Sequence, residues 1–243
     1  MKNIPRVFID SKLQEGASVS LTREQHHYLT KVMRTDRFLA FGGGEEFEAT
    51  VTGVAAAKII KNTGRLDPSG GWIFCFAPIK KTEDLISAIV QMGAGVLHPV
   101  ITERTTARHI NWARMRKIII ENAEQSGRNS IPELRPPIAF KDLQKKGVVF
   151  GDERKCGVWS VKCGVGNRKD SSAVKNDLLI VETNANSTLH TSHFTLMIGP
   201  EGGFSDAEFD ALDDAGAIGV GLGATILRAE VAAVALAAKV IGG

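Results

Sequence analysis

The sequence has few cysteines and no long apolar run. Its three cysteines, Cys75, Cys156 and Cys163, are too few and too unevenly placed for a disulfide framework, which favours a reducing compartment. The gap between Cys156 and Cys163 matches no common zinc spacing, so no metal site is expected. No apolar run approaches membrane-spanning length, and the start "MKNIPRVFID" lacks the apolar core of a signal peptide. These absences predict a cytoplasmic protein that binds neither metal nor membrane.

Charge is scarce overall but unevenly distributed. The formal net charge is only +3 over 243 residues. Residues 104–146 nevertheless carry ten Lys or Arg against four acidic residues, whereas residues 177–243 carry two against nine. Such asymmetry favours one surface that binds a polyanion and another that does not, although solvation of helix faces would explain it equally well.

The first 66 residues are typical of a small β-domain. A helix is predicted in "TREQHHYLTKVM", with Thr22 as its N-cap. Close spacing of short strands indicates a β-barrel or sandwich, and "LDPSGG" is a natural linker after it. The predicted strands are "RVFI", "SVSL", "FLAF", "FEATVTGV" and "AKIIKN".

After the linker, apolar strands alternate with amphipathic helices. This alternation predicts an α/β domain with a largely parallel sheet covered on both faces. Residues 151–176 are polar and lack periodicity, so they are expected to form a long inserted loop. The predicted strands are "WIFCFAPI", "VLHPVI", "DLLIVET", "FTLMIG" and "AIGVGLG". The predicted helices are "KTEDLISAIVQMGA", "NWARMRKIIIENAEQSG", "DAEFDALDDAG" and "ILRAEVAAVALAAKVI".

Two glycine-containing loops follow predicted strands and are candidates for ligand binding. In "IGPEGGFSDAEF" the strand breaks at Gly199, and Ser205 lies three residues before Glu208, as in a capping box. A strand, a tight turn and a helix start together expose backbone N–H groups to a ligand. The second loop is "GLGATIL", which precedes an alanine-rich helix.

Common nucleotide motifs do not describe these loops. "GPEGGF" supplies no Gly-Lys-Ser or Gly-Lys-Thr, which excludes a P-loop. "GLGATI" has Ile226 where a dinucleotide fingerprint needs a small residue for close helix packing, so an NAD site is disfavoured. Loops with polar backbone, few charges and apolar neighbours suit a neutral heterocycle such as adenine. Arg228 and Glu230 follow the second loop, as catalytic charges or as a helix-surface ion pair.

Several motifs resemble those of one known family. "LMIGPEGGFSDAEFD" and "GLGATILRAEVAAVALAA" resemble the paired C-terminal motifs of the RsmE-type 16S ribosomal RNA uracil-N3 methyltransferases, which belong to the SPOUT superfamily. "IPRVFID", "LTREQHHYLTKVMR" and the segment from "ITERTTARHINW" to "SIPELRPP" are also similar to that family. The resemblance covers most of the chain except residues 147–177.

The resemblance implies a fold, a cofactor and an assembly. It implies a PUA-like β-barrel RNA-binding domain over residues 1–68, and an α/β domain with a deep trefoil knot over residues 72–243. It also implies S-adenosylmethionine as cofactor, a homodimer, and 16S ribosomal RNA as the partner, within the small ribosomal subunit. Implied cofactor-binding residues are Glu182, Thr183, Ile198, Gly199, Pro200, Glu201, Gly202, Gly203, Leu222, Gly223, Ile226 and Leu227.

Methylation of uracil N3 requires loss of the imide proton and stabilisation of charge on the flanking carbonyl oxygens. Alignment and a preorganised cation are therefore the main contributions of the protein. Arg228 is the first candidate for that cation and Arg104 the second, while Glu230 could orient Arg228 or accept the proton. The predicted RNA-binding residues are basic side chains of both domains: Arg6, His26, Arg34, Arg37, Arg108 and Arg128, joined by Arg104.

The sequence departs from the usual family pattern around the second motif. Ala224 and Thr225 replace proline and arginine before "ILR", and Ala229 and Val231 replace the two threonines around Glu230. A non-catalytic RNA-binding or ribosome-assembly protein with the same fold is therefore an alternative. A small-molecule methyltransferase is disfavoured by the N-terminal β-domain.

Overall fold

The structure is a computed structural model that describes residues 4–67, 71–107, 109–155 and 194–241. Two β-sheets organise these residues, one formed before residue 63 and the other after residue 72. The linker residues 68–70, Arg108 and the predicted strand "DLLIVET" lie outside the described residues.

The first sheet has five strands in the order β1-β3-β4-β5-β2. Strands β1 and β3 are parallel, and the remaining pairs are antiparallel. Inward-facing side chains such as Leu29, Phe38, Phe47 and Ile59 form its core. The strands are β1 (Arg6–Phe8), β2 (Ser18–Ser20), β3 (Arg37–Gly42), β4 (Glu45–Gly53) and β5 (Ala56–Asn62).

The helix predicted between β2 and β3 is present. Helix α1 (Arg23–His27) continues into a single π-helical turn, Tyr28–Val32. Thr22 is the N-cap: its Oγ1 accepts a hydrogen bond from Gln25 N at 3.1 Å, and Gln25 Oε1 accepts one from Thr22 N at 2.9 Å. This reciprocal capping box satisfies two backbone donors that the helix itself leaves free.

The second sheet has seven strands, all with parallel pairings, as alternating strands and helices predict. Its order is β12-β10-β11-β6-β7-β8, and β9 also pairs with β7. The strands are β6 (Ile73–Phe76), β7 (Val96–Ile101), β8 (Glu133–Leu134), β9 (Ile138–Ala139), β10 (Val148–Gly151), β11 (Thr195–Ile198) and β12 (Ile218–Val220).

Helices cover both faces of this sheet, which confirms the predicted α/β arrangement. One face packs against α2 (Thr82–Gln91), α3 (Trp112–Ser126) and α5 (Ala229–Ile241), and the other packs against α4 (Asp206–Asp214). Successive side chains of β6 alternate between the two faces of the sheet: Phe74 and Phe76 point to the three-helix side, and Cys75 points to the other. The Cys75 thiol is buried, and desolvation raises its pKa to about 12.

Helix α3 shows both the success and the limit of the periodic pattern. It ends where expected, because Gly127 takes a left-handed φ of 77° at its C-cap. Met115, Ile119 and Ala123 are buried as the pattern predicts. The same pattern predicts burial of Trp112, but this is wrong: Trp112 is 41% exposed, one turn before the first buried residue of the helix.

Buried charges join the two sheets at a junction. Glu46 on β4 is 3% exposed and lies between Arg6 Nε at 2.9 Å and Arg65 Nη1 at 3.2 Å. Arg6 also donates to the last carbonyls of α3 and its C-terminal loop: Ala123 O at 3.2 Å, Glu124 O at 3.4 Å and Arg128 O at 3.0 Å. The first sheet is thus hydrogen-bonded to the second domain through Arg6, whose three guanidinium nitrogens all donate hydrogen bonds.

Neither membrane helices nor metal clusters occur in the described part of the chain. No described helix combines the length and apolar character needed to cross a membrane. Among the same residues, no group of three or more His, Cys, Asp or Glu side chains could hold a metal ion.

Candidate active site

A cavity of about 460 Å³ opens at the carboxyl ends of four neighbouring parallel strands. The strands are β12, β10, β11 and β6, in that order across the sheet. Ligands of open parallel sheets bind at this edge because the loops that follow the strands converge there. The lining residues are Ile79–Lys81, Gly151–Glu153, Ile198–Glu201, Gly203, Phe204, Leu222, Ile226–Glu230 and Ala232.

The turn after β11 is tight and closely packed. Gly203 N donates to Pro200 O at 2.9 Å, and Gly203 has a φ of +71°, which L-residues with a side chain adopt at a cost. A Cβ on Gly199 would lie 3.0 Å from the Phe204 ring. These contacts explain why glycines lie on both sides of the Pro-Glu pair.

Glu201 fixes this turn to the neighbouring loop. Its Oε1 accepts a hydrogen bond from Lys80 N at 3.0 Å, just before α2. Ala77 N donates to Ile198 O at 3.0 Å and continues the pairing of β6 with β11 to the cavity edge. The position of Lys80 and Lys81 on the cavity wall therefore depends on the carboxylate of the turn.

Glu208 anchors the start of α4 on the other side. Glu208 Oε2 accepts from Ser205 N at 3.0 Å, as the capping-box pattern predicts, and Oε1 accepts from Glu103 N at 2.8 Å. The second bond brings the loop after β7 next to the turn. Arg104 on that loop donates from Nη1 to Gly202 O at 2.9 Å.

The end of β10 forms the centre of the cavity wall. A Cβ on Gly151 would lie 2.9 Å from Ile198 Cδ1 and 3.1 Å from Leu222 Cδ1, so a larger residue would fill the space between the two loops. Asp152 is 2% exposed. Its backbone N–H donates to Val220 O at 3.0 Å, which extends the pairing with β12.

Arg154 holds this segment against α4. Its guanidinium is 2.9 Å from Asp152 Oδ2 and 3.0 Å from Asp213 Oδ2, and it stacks 4.0 Å above the centre of the Phe209 ring. Hydrogen bonds to the two carboxylates raise the pKa of Arg154, and the same contact lowers the pKa of Asp213. Glu153, between Asp152 and Arg154, also lines the cavity and takes no part in this clamp.

The loop after β12 supplies the remaining wall. Lys155 Nζ donates to Gly219 O at 2.7 Å, and Lys239 Nζ donates to Gly221 O at 2.9 Å. Leu222, Ile226 and Leu227 add apolar surface to the cavity.

Helix α5 begins directly at the cavity. Arg228 and Glu230 line the cavity on either side of Ala229, which is 7% exposed and belongs to the core. Ala232 N donates to Arg228 O at 2.8 Å, so the Arg228 backbone is part of the first helical turn. Two charged side chains are therefore presented to the cavity by one anchored helix terminus.

Most residues predicted to bind the cofactor come together in this cavity. Glu182 and Thr183 lie outside the described residues. Gly202 and Gly223 belong to the same two loops but are absent from the lining. The predicted residues on the lining are Ile198, Gly199, Pro200, Glu201, Gly203, Leu222, Ile226 and Leu227. Of the three predicted catalytic residues, Arg228 and Glu230 line the cavity, and Arg104 lies beside it on Gly202 O.

The predicted RNA-binding residues fall into two groups. Arg34 and Arg37 are exposed and His26 is half-buried on the first domain, while Arg108 lies outside the described residues. Arg6 and Arg128 are instead committed to internal contacts. Arg128 is 5% exposed and donates to Val90 O at 2.9 Å and Ala94 O at 2.6 Å, and burial lowers its pKa. The structure thus places both guanidinium groups in the protein interior, where they stabilise the fold.

Sequence reasoning missed one wall of the site. Residues 151–176 were expected to form an inserted loop, but Gly151 ends β10, and Asp152 and Glu153 line the cavity. The signal was short: "VVF" followed by Gly-Asp-Glu is an apolar strand with polar residues at its carboxyl end. The contribution of Ile79–Lys81 to the cavity was also missed, although these residues lie where the predicted strand "WIFCFAPI" meets the predicted helix "KTEDLISAIVQMGA".

Comparisons with known proteins agree with this architecture. A family model described as an RNA methyltransferase domain matches residues 72–241. A relative from Rickettsia conorii, named Ribosomal RNA small subunit methyltransferase E, is 27% identical over 97% of this chain and 94% of its own length. A Bacillus subtilis relative of the same name is 26% identical over 93% of this chain and 92% of its own.

A solved structure supports the fold over nearly the whole chain. The crystal structure of a Ribosomal RNA small subunit methyltransferase E from Neisseria gonorrhoeae, bound to S-adenosyl methionine, superposes with a TM-score of 0.73. It is 24% identical and covers 97% of this chain and 96% of its own. The resemblance found in the sequence motifs is confirmed. The matched family model extends over well over half of the residues, and the chain therefore belongs to the RNA methyltransferase domain family.

Proposed function

We propose that the protein transfers a methyl group from S-adenosylmethionine to N3 of a uridine in 16S ribosomal RNA. One observation carries the proposal: the Gly199–Gly203 turn and the Leu222–Leu227 loop border one cavity at the carboxyl edge of the sheet. Relatives from Rickettsia conorii and Bacillus subtilis are named for the small ribosomal subunit, which supports this substrate.

The cavity has the size and lining that this cofactor needs. A volume of about 460 Å³ lies in the range of small-molecule sites. Ile198 and Leu222 offer apolar walls for adenine, and the glycine turns bring main-chain groups close to it. A Cβ on Gly151 would fill part of the space between these walls. When bound, S-adenosylmethionine supplies a methyl group activated by the sulfonium.

The residues at the start of α5 would act on the nucleobase. Uracil N3 becomes nucleophilic when its proton leaves, and negative charge then spreads onto the flanking carbonyl oxygens. Arg228 lines the cavity and would stabilise that charge. Glu230, on the same wall, would orient Arg228 or accept the proton. Arg104, held on Gly202 O, would provide a second cation at the rim.

The two sheets suit two domains with different roles, one that binds RNA and one that transfers the methyl group. We place a PUA-like RNA-binding β-barrel in residues 1–68 and a trefoil-knotted methyltransferase domain in residues 72–243. Supporting observations are the separate five-stranded core and the insertion of β10 between β11 and β12. His26, Arg34 and Arg37 would contact phosphates, with Arg108 from the second domain. Arg6 is left out because it is bonded at the junction, and Arg128 because its buried guanidinium donates to Val90 O and Ala94 O.

A homodimer would cover an apolar stripe on α5. Val231 is 49% exposed and Ile241 is 39% exposed, and Ala238 on the same face is exposed as well. Residues at this spacing share one side of a helix, and exposed apolar stripes mark interfaces. Sedimentation should give a dimer for the wild-type protein and a monomer for Val231→Glu. A wild-type monomer at micromolar concentration would contradict the dimer.

Calorimetry and turnover test the catalytic proposal together. Wild-type protein should bind S-adenosylmethionine, and Arg228→Ala should keep that affinity within about threefold while turnover on 30S subunits falls about a hundredfold or more. Lys141→Ala, at an exposed residue that is not part of the cavity lining, is the control. An unchanged rate in Arg228→Ala would remove this residue from the mechanism.

Mapping of methylated nucleotides tests the substrate. Ribosomal RNA from cells with the protein should carry one N3-methyluridine in the 16S molecule that is missing from cells without it. A methyl group at another atom or in another RNA would refute the proposed specificity. Failure to bind S-adenosylmethionine even at millimolar concentration would instead favour a non-catalytic role in ribosome assembly.

A further inference from the structure

The first domain exposes an aromatic and an aliphatic side chain that the mechanism above does not use. Tyr28 is 39% exposed and Val32 is 60% exposed. They begin and end the π-helical turn that follows α1, and Leu29 between them is fully buried in the core of the first sheet. Residues four apart are neighbours on a helical surface, so Tyr28 and Val32 belong to one exposed area opposite the buried leucine.

Backbone hydrogen bonds hold this turn in an uncommon form. Met33 N donates to Tyr28 O at 2.9 Å, across five residues, and Thr35 N donates to Leu29 O at 3.0 Å. Single π-helical turns are rare and occur frequently at functional sites. Tyr28 and Val32 are therefore presented by an ordered backbone with a geometry that a regular α-helix does not have.

Arg34, just after the turn, has a strained backbone. Its φ is 51°, and among the described residues Ala55 is the only other non-glycine residue with a positive φ. Side chains make this left-handed region costly, whereas glycine adopts it freely. Such strain is concentrated at functional sites. The Arg34 side chain is exposed and forms no ion pair with any residue that the structure describes.

The charges around this turn are mainly positive. Residues 23–37 contain four Lys or Arg, all exposed, against two acidic residues near the ends of the segment. We call the four residues Tyr28, Lys31, Val32 and Arg34 the Tyr28 patch. Exposed aromatic rings flanked by cations are typical of surfaces that bind unpaired nucleic acid, because the ring stacks on a base while the cations contact phosphates. The basic residues are Arg23, Lys31, Arg34 and Arg37, and the acidic ones are Glu24 and Asp36.

We infer that an unpaired nucleotide of the RNA substrate binds the Tyr28 patch. Its base stacks on the Tyr28 ring beside Val32, and its flanking phosphates contact Lys31 and Arg34. The inference deepens the proposed function and rests on it, because it takes RNA as the substrate. In a paired stem the faces of the bases are covered by their neighbours and cannot reach an aromatic ring. The first domain therefore selects a loop, a bulge or a strand end.

A second copy of this chain is the competing occupant. Two copies related by a two-fold axis through the Tyr28 patch would bring Lys31 and Arg34 close to the same two cations. Like charges at short range oppose such an interface, whereas RNA phosphates neutralise them.

Fluorine NMR on the full-length protein tests the inference directly. Tyrosine occurs once in the sequence, so protein labelled with 3-fluorotyrosine gives a single tyrosine resonance, from Tyr28. A short single-stranded RNA of mixed sequence should shift this resonance in a saturable way. The same RNA annealed to its complement should shift it far less. No shift by the single strand, or an equal shift by the duplex, would overturn the inference, and a shift on dilution of the protein alone would assign the patch to a second copy.

Fluorescence polarisation with the same single-stranded RNA measures the contribution of the ring. Tyr28→Ala should weaken binding between about fivefold and a hundredfold, which is the range for loss of one stacked base. Tyr28→Phe keeps the ring and should bind as wild type. Leu66→Ala, at a residue that is 80% exposed and outside residues 23–37, is the control and should also bind as wild type. Equal affinities of Tyr28→Ala and wild type would overturn the stacking.

Arg34→Gly separates binding from folding. Glycine relieves the left-handed strain, so the midpoint of urea unfolding should stay the same or rise. Binding of the single strand should nevertheless weaken, and its slope against the logarithm of salt concentration should decrease in magnitude by about 0.7, as expected for one lost phosphate contact. Unchanged affinity and slope would remove Arg34 from the patch. Methyl transfer to 30S subunits is measured in parallel: its absence in the wild type would refute the proposed function, whereas transfer with an unmoved Tyr28 resonance would refute this inference alone.

Discussion

Replacement of Gly203 by alanine tests how the cavity wall is built. The residue has a φ of +71°, and alanine in this left-handed region costs about 1–2 kcal/mol. The new Cβ would also lie 2.1 Å from Glu153 Oε1, so the carboxylate must move away. Because this is the end of an exposed, flexible side chain, its movement adds little to the loss. In urea unfolding, the free energy of unfolding of Gly203→Ala should therefore be about 1–2 kcal/mol lower than that of the wild type.

Cofactor affinity should fall together with stability. The Glu153 carboxylate is displaced from the cavity wall, and the added methyl group takes its place there. S-adenosylmethionine should bind Gly203→Ala at least about tenfold more weakly. In Gly203→Ala combined with Glu153→Ala, the backbone strain remains while the clash disappears, so stability should match that of the single Gly203 variant.

Gly202 is the matched control for this prediction. A Cβ there would meet Arg104 Cβ at 3.4 Å and its Cδ at 3.6 Å, which are ordinary contacts, and the residue has no left-handed φ. Gly202→Ala should therefore be neutral or stabilise slightly, because alanine restricts the unfolded chain. If both variants lose the same stability and the same affinity, neither the strain at Gly203 nor its contact with Glu153 explains the turn.

Two further predictions concern the charged clusters. Glu46→Ala should lower the free energy of unfolding in urea by about 3–5 kcal/mol, because it leaves buried Arg6 without its carboxylate. Glu48→Ala, at an exposed position of the same strand, should lower it far less. Equal losses in the two variants would contradict the role of the junction. Arg154 keeps the pKa of Asp213 low, so their contribution to stability is present at neutral pH and is lost as the pH falls below about 4. Unfolding between about pH 3 and pH 7 should show wild type and Asp213→Asn converging in acid, and a constant difference would refute the pairing.

Features that depend on nearby residues were predictable from the sequence. The Thr22 cap, the Glu208 bond to Ser205 and the left-handed Gly127 each involve chain neighbours within a few residues. The glycine turn after β11 was predictable for the same reason, because a strand that breaks into a helix start must bend sharply. The alternation of strands and helices then placed both glycine loops at one edge of a parallel sheet.

Features that depend on distant pairing were not predictable. Strand β10 contains only "VVFG", yet it lies between β11 and β12 and brings Glu153 into the cavity. Its local signal, three apolar residues before Gly-Asp-Glu, is too short to separate a strand from an apolar part of a loop. Likewise, charge alone does not separate an arginine on the surface from one in the interior. Arg6 and Arg128 were expected to contact RNA because of their charge. Their burial depends on contacts with residues distant in the chain, which the sequence pattern does not reveal.

The junction around Glu46 has a mechanical consequence. Arg6 is bonded at once to β4 and to the end of α3, so hinge motion between the sheets would break several charged contacts together. These contacts therefore restrain the distance from the exposed Arg34 and Arg37 of the first domain to Arg228. A substrate that contacts both places must therefore have its two contacting parts at a matching separation. If the proposed function is correct, an RNA that presents its uridine at another separation from the surface bound by the first domain would not reach Arg228.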